Sequence, residues 1–146
     1  MEKKLLAELS PEVIREAAEM LDAGMICFID KYTGELDYYP DESKNYLDDP
    51  EPWEETMNKL DSNPGMYYRI EGLSSFDSFK IMEDFIESLS DQQIADQLYR
   101  AISKKKPFRN FSDAIFEYPK VREDWFAFKL ARYIDWVNEQ IDLERK

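Results

Sequence analysis

Met25-Ile-Cys-Phe-Ile-Asp-Lys-Tyr-Thr-Gly-Glu-Leu-Asp-Tyr-Tyr-Pro40 is the stretch on which the fold turns. Met25–Ile29 is a short apolar run suited to a strand. Asp30–Glu35 carries turn residues, with Gly34 free to take a positive φ. Leu36–Tyr39 reads as the return strand, closed by Pro40. A lone hairpin is marginal in water, so a further antiparallel strand is expected, and Met66–Ile70 has the composition for it.

Working outward, Ser10-Pro11-Glu12 reads as an N-cap serine followed by proline at the first helical position. Val13, Ile14, Ala17, Ala18 and Leu21 then recur at helical spacing, and Gly24 is the natural stop. Between the hairpin and the third strand lies an acidic segment punctuated by Pro40, Pro50, Pro52 and Pro64, with a short helix expected after Pro52 around Trp53, Met57 and Leu60.

From Ser74 onward the pattern is helical. Phe79, Met82, Phe85, Ile86 and Leu89 mark one helix, and Ser90 with Gln93 reads as a capping box opening the next, through Ile94, Leu98 and Ile102. Pro107 starts a shorter helix with Phe108, Phe111 and Ile115. Pro119 opens the last, apolar on two sides and so expected between neighbours. The expected fold class is α+β: a small three-stranded antiparallel sheet followed by a layer of four to five helices. It is expected as a single domain over 1–146, with the sheet part in 1–73 and the helical part in 74–146.

Composition narrows the function. Thirty-two acidic residues against 19 basic leave a net charge of −13, which works against unaided binding to nucleic acid. Without a histidine the chain lacks the commonest general base and the usual zinc and triad chemistry. One cysteine, Cys27, makes no internal disulfide and fits a reducing cytoplasm; inside the first strand it reads as a buried structural thiol. The N-terminus has no signal-peptide pattern and no apolar run approaches a membrane span, so a cytoplasmic protein without a membrane partner is expected. No phosphate-cradling glycine loop or nucleophile elbow is present in the sequence, and no cofactor is expected.

Four groups of residues bear on chemistry. Asp41-Glu42-Ser43-Lys44-Asn45 imitates the opening of a calcium loop, but Tyr46 stands where the sharp-turn glycine belongs and Pro52 where the bidentate glutamate belongs. A solvated acidic face is the better reading, and no metal ligand is assigned. Glu83, Asp84 and Glu87 cluster on one helix; as a catalytic pair they would need burial to separate their pKa values. Arg100, Lys104, Lys105, Lys106 and Arg109 form a basic run, interleaved with Phe108 and Phe111, that suits phosphates and stacked bases, although it equally completes a helix C-terminus. Finally, Phe108, Phe111, Trp125, Phe126 and Phe128 are expected to form an aromatic core, with Arg109 and Arg132 at its edge paired to Glu83, Asp84 or Glu87. The competing reading of this set is an aromatic-walled pocket with arginines for an anion.

Phe28-Ile-Asp-Lys-Tyr-Thr-Gly-Glu35, Ile81–Leu89, Phe108-Arg-Asn-Phe111 and Trp125-Phe-Ala-Phe-Lys129 occur in that order. Together they resemble an uncharacterised bacterial protein family, number zero-one-five-eight, over nearly the whole chain. The departure is at Lys104-Lys105-Lys106-Pro107, where the resemblance leads one to expect a glycine-containing turn. The resemblance implies a bacterial, intracellular protein and assigns no reaction, cofactor or catalytic residue. The function expected from all this is a non-enzymatic intracellular binding or regulatory domain that interacts with another protein. The alternative is an RNA- or nucleotide-associated module using the basic patch 100–109, and a metal-dependent carboxylate hydrolase comes third; the candidate ligand-binding residues are Arg100, Lys104, Lys105, Lys106, Phe108, Arg109, Phe111 and Arg132.

Overall fold

The computed structural model describes residues 5–43 and 50–145. Lys44 and Asn45 of the calcium-loop resemblance, Tyr46 that breaks it, and Asp48 and Asp49 of the acidic segment lie outside the described residues. The chain is α+β, and its backbone groups into two compact units, Met1–Gly72 with Tyr133–Lys146, and Leu73–Arg132.

In the first unit, α1 (Pro11–Asp22) starts as its sequence predicts: Ser10 Oγ accepts from the Val13 amide at 3.2 Å, and Pro11 takes the first turn. Gly24, at φ 92, ends the helix and turns the chain into β1 (Met25–Asp30). The hairpin to β2 (Leu36–Pro40) is as expected: Gly34 sits at φ 76, and Asp30 Oδ1 accepts from the amides of Tyr32 and Thr33 at 2.8 and 3.0 Å. After α2 (Glu51–Asp61) and a single 3₁₀ turn, β3 (Tyr67–Ile70) pairs antiparallel with β1, Cys27 opposite Ile70 and Asp30 opposite Tyr67. The strand order is β2-β1-β3. Because β1 is central and covered on both faces, Ile26, Cys27, Phe28 and Ile29 are all buried. Cys27 Sγ donates to Ala17 O of α1 at 3.6 Å. On the other face Ile26 and Phe28 pack with Tyr39, Leu60 and Tyr67, flanked by Trp53 and Met57 of α2. Lys59 to Asp37 (3.0 Å) and Tyr39 Oη to Asp61 (3.1 Å) tie α2 to β2.

The last helix, α6 (Pro119–Arg145), contributes its C-terminal turns to this unit. Val137 and Ile141 are buried there, and Trp136 Nε1 donates to Glu71 O at 2.8 Å.

The second unit holds α3 (Ser75–Ser88), α4 (Gln92–Ile102), α5 (Pro107–Ile115) and the first turns of α6. The expected capping box at Ser90 needs correction. Asp91 is the N-cap of α4, its Oδ1 accepting from the amides of Gln93 and Ile94 at 3.0 and 3.2 Å. Asp91 has the extended backbone a cap requires and a carboxylate that complements the helix dipole, so the acceptor one residue later wins. Ile81, Met82, Phe85, Ile86, Ala95, Leu98 and Ile102 are buried. Trp125 packs 5.3 Å from Phe85 and 4.8 Å, edge-on, from Phe111, with Phe128 5.4 Å from Phe85. The expected aromatic core is therefore real for Phe111, Trp125 and Phe128, and wrong for Phe108 and Phe126, which are 41% and 46% exposed. With Trp125 turned inward, helical rotation of about 100° per residue carries Phe126 to the flank.

Candidate functional site

The turn between α4 and α5 is built from its own polar groups. Ser103 Oγ donates to Tyr99 O at 2.7 Å, closing α4. Asn110 Nδ2 reaches back from α5 to Ala101 O and Lys105 O, at 3.0 and 2.8 Å, and holds the loop against both helices. Within it Lys106 adopts φ 58, ψ 55, a left-handed backbone that glycine takes without strain, immediately before Pro107. That conformation accounts physically for a glycine-containing turn at this place.

Arg100, Lys104, Lys105, Lys106 and Arg109 are all exposed on this turn and its flanks, with Phe108 beside them. None of the five forms an ion pair among the described residues. Phe111 stands differently: it is 1% exposed in the aromatic core and has no face to offer a base. Arg132 belongs to another cluster, donating to Asp84 of α3 at 2.8 Å and lying 5.8 Å over the ring of Phe128. Of the two arginines expected to pair with the α3 carboxylates, Arg132 does so and Arg109 does not among the described residues. Lys80 adds a second bond to Asp84 at 3.1 Å. The hydrogen bond from Arg132 holds the Asp84 carboxyl below its ordinary pKa, so this cluster favours a fixed carboxylate over a proton donor. A cavity of about 480 Å³ beside the turn is lined by Gln97, Lys104, Asn110, Asp113 and Tyr118; among the eight candidate residues only Lys104 reaches it.

Charge is sharply partitioned between the units. Met1–Gly72 with Tyr133–Lys146 holds nine basic and 22 acidic residues, while Leu73–Arg132 holds ten of each. The whole net charge of −13 therefore resides in the sheet-bearing unit. There a groove of about 500 Å³ runs between the start of α1 and the hairpin, lined by Glu12, Glu16, Glu35, Asp37 and Lys59. Lys59 neutralises Asp37, whereas Glu12, Glu16 and Glu35 form no ion pair among the described residues.

Sequence reasoning missed a cation–aromatic cluster at the α5–α6 corner. Arg122 lies over the rings of Phe116 and Phe126, and Lys129 over those of Trp125 and Phe126. The available signal was spacing: Arg122 to Phe126 is i,i+4 and Phe126 to Lys129 is i,i+3 on one helix.

With three antiparallel strands, helices on both faces of the sheet and a separate helical cluster, the chain is a small α+β protein with an acidic sheet unit and a cationic turn in its helical unit. It belongs to UPF0158, an uncharacterised protein family, whose pattern it matches over residues 9–145. It is similar to the UPF0158 protein PA5073 of Pseudomonas aeruginosa, 26% identical over 130 residues that cover 88% of this chain and 80% of that relative. No solved structure matches it. No helix among the described residues is long and apolar enough to cross a membrane.

Proposed function

We propose that the protein is a non-enzymatic binding domain that engages a basic surface of another protein through its acidic sheet unit, in the bacterial cytoplasm. The observation that supports this is the confinement of the net charge to one unit, with Glu12, Glu16 and Glu35 open along one groove. A one-signed field focused on a groove raises the encounter rate with an oppositely charged partner and penalises the wrong ones. Cys27, a single free thiol held inside the sheet, suits a reducing compartment. The test is capture from a bacterial lysate at low salt with the wild type and with Glu12→Gln/Glu16→Gln/Glu35→Gln. The reading expects a reproducible partner that the triple variant and high salt both release. A partner held equally by the variant would remove the acidic groove from the account.

The second reading, RNA association, draws on the five exposed cations around Phe108. Titrating a single-stranded RNA against the wild type and Lys104→Gln/Lys105→Gln/Lys106→Gln at two salt concentrations separates the two. Electrostatic binding through this turn weakens with salt and with the variant.

A further inference from the structure

We infer that the α5–α6 corner is a binding site for a small aromatic carboxylate, its ring on Phe116 and Phe126 and its carboxylate on Arg122. Two large apolar side chains are held in water here, Phe116 at 68% and Phe126 at 46% exposure. Both border a concavity of about 390 Å³ whose wall includes Ile115 and the edge of Trp125, a size suited to one small organic molecule. The Arg122 guanidinium lies 5.4 Å from the Phe116 centroid and 5.0 Å from that of Phe126. With the rings against the guanidinium plane, its N–H groups can donate to a carboxylate in the two-pronged geometry that arginine favours.

Arg122 forms no ion pair among the described residues, in a chain with 32 acidic side chains. Lys129 is 5.6 Å from both the Trp125 and Phe126 rings, and Asp113 and Ser112 complete the lining. Arg122 brings to the concavity a guanidinium with no acidic partner among the described residues. Charge complementarity thus selects an anion, and the exposed rings select an anion with an apolar plane. An inorganic anion would leave Phe116 and Phe126 wet, and a neutral arene would leave Arg122 without its partner. The size of the concavity favours a free small molecule over a peptide segment.

The probe is 2-naphthoate, with 2-naphthamide as its uncharged isostere, titrated by calorimetry and by amide NMR into the wild type, Arg122→Gln and Phe126→Ala. Both substitutions are on exposed side chains, and a single cooperative thermal transition with a midpoint within a few degrees of the wild type establishes that each variant is folded. The expected result is saturable naphthoate binding that moves the Phe116, Arg122 and Phe126 amides. Naphthamide and the Arg122→Gln variant should each bind about tenfold more weakly or worse, since a charge-assisted bond is lost. Equal binding of acid and amide, shifts confined to other residues, or no saturation would overturn the assignment. So would a blocked Glu-Phe-Glu tripeptide that binds more tightly than naphthoate, or a concentration-dependent dimer abolished by Phe126→Ala; either would make this corner a macromolecular contact.

Discussion

The guanidinium of Arg145 donates through Nε to the Tyr68 hydroxyl at 2.9 Å and lies 5.4 Å over the same ring. Its other nitrogens donate to Ala7 O and Leu6 O at 2.9 and 3.2 Å, so one side chain at the end of α6 fixes both β3 and the segment before α1. Leu6 N in turn donates to Lys31 O at 3.0 Å. Arg145→Ala removes four contacts and is expected to cost about 1–2 kcal/mol, charge-assisted bonds at an exposed site being worth about that much. Arg145→Lys recovers little, because one ammonium cannot span the three acceptors. Urea midpoints at constant slope provide the measurement.

The correction at the start of α4 separates two adjacent residues. Asp91→Ala removes the acceptor for two amides and is expected to cost about 1 kcal/mol, whereas Ser90→Ala should leave the midpoint nearly unchanged. Equal losses from both would mean that Ser90 contributes to the cap.

Local signals in the sequence account for what was legible. Ser10-Pro11 and Gly34 each fix a backbone conformation within a few residues, so α1 and the hairpin could be read directly. That β1 is the central strand depends on pairing Cys27 with Ile70, forty-three residues away, and no local pattern encodes it. The unbroken burial of Ile26–Ile29 was the trace of that position. For the candidate residues, the basic turn was legible because its charges are consecutive. The fate of Phe108, Phe111 and Phe126 was not, since three apolar rings look alike until helix rotation assigns Phe111 to the core and the other two to water. The cluster of Arg122 with Phe116 also needs the chain to turn before Pro119, which brings the residue that caps α5 against the first turn of α6.

Two buried groups give the stability an alkaline limit. Burial, aided by the nearby Glu16 carboxylate, pushes the Cys27 thiol up to about 12. Burial and the hydrogen bond to Asp61 push Tyr39 up to about 12. In the unfolded chain these groups ionise at about 8.5 and 10, so above each value the unfolded state binds fewer protons and stability falls as pH rises. Urea midpoints should hold to about pH 8 and decline progressively beyond it, and Cys27→Ala should remove the earlier part of that pH dependence. At pH 8 the native thiol should react with a disulfide reagent only as fast as the protein opens.

Lys106 gives a stabilising prediction. Its φ of 58 before Pro107 is strained for a side chain with a Cβ, and it precedes a proline that further restricts the backbone. Lys106→Gly relieves the strain, partly offset by the larger freedom of glycine in the unfolded chain, for a net gain of about 0.5–1 kcal/mol. Lys106→Ala keeps the Cβ and should show no such gain. If the two variants have the same midpoint, the gain has another source than the backbone.

Trp125 and Phe126 are neighbours on α6 with opposite environments, and the contrast tests the whole assignment of the helical unit. Trp125 is 8% exposed against Phe85 and Phe111, whereas Phe126 is 46% exposed beneath Arg122 and Lys129. Trp125→Ala leaves a void that the packed rings cannot close and should cost about 3–5 kcal/mol, a large part of the stability of a small domain. Phe126→Ala removes a ring already largely hydrated and should cost about 1 kcal/mol or less. Fluorescence gives an independent check once Trp53 and Trp136 are replaced by Phe. Trp125 emission should then resist an aqueous quencher, and the addition of 2-naphthoate should perturb it through the wall it shares with Phe126. A stable Trp125→Ala protein together with a readily quenched parent would place Trp125 in the binding corner rather than the core.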